Sequence, residues 1–261
     1  MTRRPSMRLE MFALEGIPEV QAGDDLGELI ADAMARGAEP WTEGTVLAVA
    51  QKVVSKAEGR TRRLQDIVPG DEARAIAATS GKDARKVQAI LDESTEIVRV
   101  SAAPPDGIVI ARHRQGWVCA NAGIDESNLG ARHGELLLLP EDVDASAARI
   151  AERIARITGV RPGVVVTDTF GRPWRKGLVN VALGTSAVAP ILDWVGSTDA
   201  YGRRLQVSQQ AFADEIAAAA GLLTPKDAAT PVVVIRHLRW QAQAEASARQ
   251  YVRSPKEDLF R

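Results

Sequence analysis

Gly163-Val164-Val165-Val166-Thr167-Asp168-Thr169, continued by Phe170-Gly171-Arg172-Pro173-Trp174-Arg175, passes without a break from an apolar β-branched run to an acid flanked by two hydroxyls. The valine run predicts a buried strand. An aspartate between threonines at the end of such a strand is a candidate ligand for a divalent cation, because hard oxygen donors suit Mg²⁺ or Mn²⁺. Arg172 and Arg175 follow as two cations suited to an anionic substrate. For each of these residues a plain surface role is an equal alternative at this level.

Working outward, Leu9 to Leu14 and Thr45 to Ala50 predict further strands, and Gly23-Asp24-Asp25 predicts a helix start before an amphipathic segment ending near Arg36-Gly37. Asp71 to Ser94 carries helical periodicity, with Ile76, Val87, Ile90 and Leu91 as buried positions. Glu96 to Val100, Ile108 to Arg112, Trp117 to Ala120 and Glu135 to Leu139 read as strands, with a polar, glycine-bounded loop from Asn121 to Gly130 among them. Asp144 to Gly159 and Ala211 to Leu223 predict helices, and Pro231 to Arg236 a last strand. Helices and strands mixed in this way predict an α/β, or mixed α+β, fold. Residues 1–240 form one expected domain, and 241–261 a polar tail lying on the surface or against a partner subunit.

The 261 residues carry 33 basic and 34 acidic side chains, a net charge of -1, which gives no support for nucleic acid or an anionic membrane as a partner. Neither a signal-peptide core nor a membrane-length apolar run occurs, and a lone Cys119 offers neither an internal disulfide nor a thiolate metal site; a cytoplasmic location is expected.

The chain lacks both the Gly-x-x-x-x-Gly-Lys-Ser/Thr loop and the Gly-x-Gly-x-x-Gly turn, so neither a P-loop nor a Rossmann site is expected. His113, His133 and His237 are scattered, and Ser55 and Ser127 lack a nucleophile elbow, which argues against hydrolase chemistry. Asp125, in the glycine-bounded loop, and Asp168 could converge on one cation as carboxylate ligands, leaving its remaining positions to water and phosphate. Thr169 could bring a hydroxyl to a second cation. Lys56, after a strand and a polar turn, reads either as a phosphate ligand or as an exposed lysine at a helix start.

Four ordered blocks carry a resemblance: Gly16-Ile17-Pro18-Glu19; Gln51-Lys52-Val53-Val54-Ser55-Lys56-Ala57-Glu58-Gly59; Asn121-Ala122-Gly123-Ile124-Asp125-Glu126-Ser127-Asn128; and Thr167 to Arg175. With Asp199 to Arg203 and Ala213-Asp214-Glu215 they resemble the coenzyme F-420 gamma-glutamyl ligases over roughly residues 9 to 240. The resemblance implies an unusual fold of two interlaced parts in a homodimer, and a GTP-dependent ligase that adds L-glutamate to coenzyme F420-0 through an acyl phosphate. It implies Mg²⁺ or Mn²⁺, two per site, and leaves K⁺ open as a further ion. Asp125 and Asp168 match metal ligands, and Thr169 matches a ligand of the second metal. Ile17, Pro18, Glu19, Val20, Lys56, Asn128 and, less directly, Gln51 match nucleotide contacts. Asp258-Leu259-Phe260-Arg261 resembles the lead into a nitroreductase-like domain of fused relatives; no flavin chemistry is expected of this sequence.

Three positions depart from the pattern: Pro225 and His237 replace usual glycines, and Asn180 a usual aspartate. They leave open a paralogous amide ligase acting on a different carboxylate, with a non-catalytic nucleotide-binding protein as the alternative from another class.

Overall fold

The computed structural model describes residues 8–102, 107–127, 134–225, 227 and 229–258; Asn128, His133, Lys226 and the terminal Leu259-Phe260-Arg261 lie outside them. The first half of the chain forms β1 (Glu10–Ala13), α1 (Leu26–Arg36), β2 (Val46–Ala50), α2 (Gln51–Ala57), β3 (Thr61–Arg63), α3 (Asp71–Ser80), α4 (Ala84–Asp92), β4 (Ser94–Ser101), β5 (Ile108–His113) and β6 (Val118–Ala120). The second half forms β7 (Glu135–Leu137), α5 (Val143–Thr158), β8 (Gly163–Arg172), β9 (Arg175–Ser186), β10 (Ile191–Asp193), β11 (Gln209–Ala211), α6 (Phe212–Ala220) and β12 (Val232–Arg236). The fold is mixed α/β.

A five-stranded sheet in the order β1-β12-β2-β8-β9 is its centre. The β2–β8 pair is parallel and the other neighbours are antiparallel. Alternation along the valine runs covers both faces, as a doubly buried sheet requires. Leu47, Val49, Val164 and Val166 face Ile30 and Met34 of α1 and Ile150 and Ile154 of α5. Val46, Ala48, Val165 and Val233 face Phe212, Ala213 and Ile216 of α6.

A separate antiparallel sheet, β4-β5-β6, places Val109 and Ala111 against Ile90 of α4, with Ile76 of α3 partly buried beside them. The helical periodicity of Asp71 to Ser94 resolves into two helices rather than one. Gly81, at φ 81°, ends α3 in the left-handed region, and Asp83 restarts the chain by accepting the Arg85 N–H at 2.8 Å. Leu91 and Ile76 are only half-buried, while Val87 and Ile90 are buried.

Aspartate caps also start α1 and α5, the first as the sequence indicates. Asp25 accepts from the Glu28 N–H and Asp142 from the Ala145 N–H, both at 3.0 Å. His237, directly after β12, has a φ of 62°, a conformation that glycine adopts without the steric cost a side chain brings. The polar stretch beyond Trp240 is knitted to this body: Ser247 Oγ donates to Asp144 at 2.6 Å, and Tyr251 donates to the Pro190 carbonyl at 2.6 Å.

Cys119, in β6, is buried, and that burial together with the Asp168 charge pushes its thiol up to about 12. Only the thiolate reacts with disulfide reagents, so native protein at pH 8 will react with Ellman's reagent about 100-fold or more slowly than protein in guanidinium chloride. Equal rates in the two solutions would contradict the burial.

Candidate functional site

A cleft of about 680 Å³ opens at the carboxyl ends of the parallel strands β2 and β8. This is where an α/β sheet leaves backbone and side chains free to meet a ligand. The reason lies in strand length. β2 turns into α2 after Ala50, whose partner is Thr167, while β8 runs on to Arg172 paired only with β9. Asp168 therefore lies inside a strand rather than at its end; what ends beside it is its parallel neighbour. The gap left by β2 exposes the edge of β8 exactly where the acid and hydroxyl stand.

Asp125 lines the same cleft. Its backbone exchanges two hydrogen bonds with Leu137, at 3.0 and 2.8 Å, so the polar loop is pinned to β7 at this residue. Burial alone would raise its pKa, but the Lys52 hydrogen bond and charge and the Ser127 N–H outweigh that and hold it below the ordinary carboxylate range. Asp168 is the opposite case. Burial, reinforced by the charge of Asp125, outweighs the Thr169 N–H and Lys52 and raises it to about 7.

A carboxylate that raises its neighbour's cost of ionisation makes a site that takes up positive charge. In this structure the charge is the ammonium of Lys52, 2.7 Å from Asp125 Oδ2 and 2.5 Å from Ser127 Oγ. Among the described residues there is no cluster of three or more His, Cys, Asp or Glu able to enclose a metal. A pair of carboxylates plus the Thr169 hydroxyl nevertheless fits Mg²⁺ or Mn²⁺, which keep water and phosphate in their remaining positions. It does not fit zinc, which favours four protein ligands or three with histidine or cysteine among them.

The other predicted residues gather around the same opening. Ile17, Pro18, Glu19, Val20, Gln51 and Lys56 all line it. Lys56 is neither exposed nor at a helix start: it is buried in the last turn of α2 and paired with Glu19 at 2.7 Å. Gln51 accepts from Ser55 Oγ at 2.8 Å; among the described residues its buried Nε2, which lies toward Asp168, and the buried Thr230 hydroxyl make no hydrogen bond of normal geometry. Buried polar groups without partners are costly, and here they mark where a ligand would supply the missing bonds. Arg172 and Arg175 stand away, where β8 turns into β9, and do not line the cleft. Asn128 lies outside the described residues.

Lys52 is the residue whose role the linear reading missed. Placing a polar turn between the strand and Lys56 hid the signal: as a helix, positions 52 and 56 are four apart and share a face. Both lysines line the cleft for that reason.

A profile of the F420-0:gamma-glutamyl ligases matches residues 16–237, a span that includes every cleft residue from Ile17 to Pro231. The chain belongs to the F420-0:gamma-glutamyl ligase family. It is 43% identical over 256 residues to the coenzyme F420:L-glutamate ligase of Archaeoglobus fulgidus, covering 98% of this chain and 97% of that protein. Proteins of the same name from Methanothermobacter thermautotrophicus and Methanopyrus kandleri are 41% and 44% identical, each over 98% of this chain and 100% and 98% of their own lengths. As a member of a ligase family this chain is an enzyme of bond formation, in line with the argument against hydrolase chemistry at Ser55 and Ser127. Ser55 is fully buried against Gln51, consistent with that. Among the described residues no helix is long and apolar enough to cross a membrane.

Proposed function

We propose that this member of the family joins L-glutamate to coenzyme F420-0 at the expense of GTP, in a cleft that holds divalent cations. The convergence of Asp125, Asp168, Lys52 and Lys56 on one opening carries the reading, because it supplies paired acids for cations beside two ammonium groups for phosphates.

In the proposed reaction, a carboxylate oxygen of the acceptor attacks the γ-phosphorus of GTP, GDP leaves, and an acyl phosphate forms. The glutamate nitrogen then attacks the acyl carbon; the carbon–oxygen bond to phosphate breaks, and the nitrogen loses a proton. Bound Mg²⁺ or Mn²⁺, two per site, would neutralise the phosphate oxygens, held by Asp125 and Asp168 with Thr169 at the second ion. Lys56 has its ammonium tethered by Glu19 at the cleft wall, so it acts as an oriented point charge for phosphate. Lys52, once a cation takes its place on Asp125, is free to turn toward the same oxygens. Gln51 Nε2 and the Ile17 to Val20 turn line the nucleotide side, and Asn128 is assigned to it on resemblance alone. A homodimer in the cytoplasm is part of the same proposal, as is a place for K⁺.

Purified protein will convert F420-0 and L-glutamate to a product one glutamyl residue heavier, releasing one GDP for each bond, only when GTP and Mg²⁺ or Mn²⁺ are present. GDP release only with a different carboxylate would assign the chain to a paralogous amide ligase. GTP binding without turnover of any acid would make it a non-catalytic binder, and turnover with ATP alone would overturn the nucleotide.

Lys56→Ala should weaken GTP about tenfold or more, from the loss of a charged hydrogen bond, and leave the KM for glutamate within about twofold. Calorimetric titration with a non-hydrolysable GTP analogue measures the first. An unchanged dissociation constant would remove Lys56 from the phosphate site.

A further inference from the structure

Thr169 and Asn180 are direct partners across the β8–β9 ladder, and both line the cleft. The Thr169 hydroxyl lies 3.0 Å from Asn180 Oδ1 and donates to it. An amide oxygen has no proton to offer, so the hydroxyl proton is committed to Asn180 and the Oγ1 lone pairs remain for the cleft. A threonine held this way cannot also donate to a phosphate oxygen. It suits a cation instead.

The position of Asn180 is itself built. A Cβ at residue 221 would lie 3.1 Å from Asn180 Nδ2 and 3.2 Å from its Cγ, so glycine there lets the end of α6 close against the amide. The amide also accepts the threonine proton without adding charge. A carboxylate at 180 would put a third negative group beside Asp125 and Asp168, in a cleft proposed to receive a triphosphate.

We infer that Asn180 is a positioning residue, which makes Thr169 an acceptor-only ligand for the second divalent cation while sparing the site a further negative charge. The inference rests on the two-cation reading above and deepens it. Asn180 itself need touch neither nucleotide nor acceptor.

The test is a Mn²⁺ titration by electron paramagnetic resonance of free Mn²⁺, with a non-hydrolysable GTP analogue saturating and no acceptor present, so the readout is binding rather than activity. Wild type is expected to take up two Mn²⁺ per chain. Asn180→Leu, which removes the acceptor, should weaken the second ion about tenfold or more and leave the first within about twofold. Asn180→Asp, which restores an acceptor, should return the second ion to wild-type affinity or tighter. Thr169→Val should reproduce the leucine phenotype, and adding Asn180→Leu to it should cost nothing further, since the hydroxyl being oriented is gone. Two Mn²⁺ bound with wild-type affinity by folded Asn180→Leu would overturn the inference. If that variant does not fold, a further loss of the second ion when Asn180→Ser is added to Thr169→Val would overturn it equally. Fewer than two Mn²⁺ on wild type would instead remove the two-cation reading, and the inference with it, before any variant is compared.

Discussion

Asp168→Asn is expected to lower turnover about 10³-fold or more and, at the same time, to make the metal-free protein more stable at pH 8. The first effect follows from its place at the point where β2 ends and the two acids converge. A neutral amide there loses electrostatic stabilisation of several kcal/mol at the reacting phosphate, and about 4 kcal/mol corresponds to 10³ in rate.

The second effect follows from the cost of ionising Asp168 without a cation. Its carboxyl titrates near 3.8 when unperturbed and at about 7 in the fold, raised chiefly by burial and then by Asp125. Between those values the folded chain keeps a proton that the unfolded chain has lost, so stability falls as pH rises from about 4 to 7 and stays lower above that. Asparagine carries no such cost. Denaturant unfolding in EDTA should show the variant more stable than wild type by an amount on the order of 2–4 kcal/mol at pH 8, with most of the difference gone at pH 5. A difference of equal size at both pH values would show that ionisation is not its source. Wild-type turnover at ordinary Mg²⁺ would remove Asp168 from the cation site.

Gly184→Ala should destabilise the whole fold by about 3 kcal/mol, although the residue does not line the cleft. A Cβ on Gly184 would stand 2.5 Å from the carbonyl carbon and from Cγ1 of Val143, and 2.6 Å from the carbonyl oxygen. Val143 opens α5, whose start is fastened on several sides. Asp142 caps it, and Asp144 accepts from the Thr185 N–H at 2.8 Å, the Ala248 N–H at 3.1 Å and Ser247 Oγ at 2.6 Å. The helix therefore has no cheap direction in which to yield. Moving β9 instead disturbs the ladder that carries Thr169 and Asn180. Thermal unfolding should drop by about 6–12 °C, and a shift under 2 °C would mean that this junction is softer than its hydrogen bonds imply.

Local pattern was enough for most of the elements. The β-branched runs at 46–50, 163–167 and 232–236 became central strands because burial on both faces demands continuous apolar sequence, and their alternation then divides α1 and α5 from α6. Other features escaped, among them the strand β9 (Arg175–Ser186) and the short strands β3, β10 and β11. Gly81 divides what composition presents as one helical stretch, because a left-handed residue stops a helix whatever the periodicity on either side. The polar start of Gln51 to Ala57 looked like a turn leading to Lys56; its helical state depends on Val54 packing into the core and on Ser55 bonding to Gln51.

What the sequence determined by itself is the set of chemical groups and their family: four blocks in order, two aspartates without histidine or cysteine support, and strands and helices in mixed order. Hydroxyls and carboxylates have fixed chemistry wherever they fall, so their type alone excluded zinc and thiol sites. What only the tertiary structure decided is how those groups act on one another. Asp168 became hard to ionise because β8 outruns β2 and faces Asp125; Lys52 entered the site because it lies one helical turn from Lys56; and Thr169 became an acceptor because strand register set Asn180 opposite it. Each of these depends on distances of a few ångströms between segments far apart in the chain, and electrostatic and hydrogen-bond energies change steeply over just such distances.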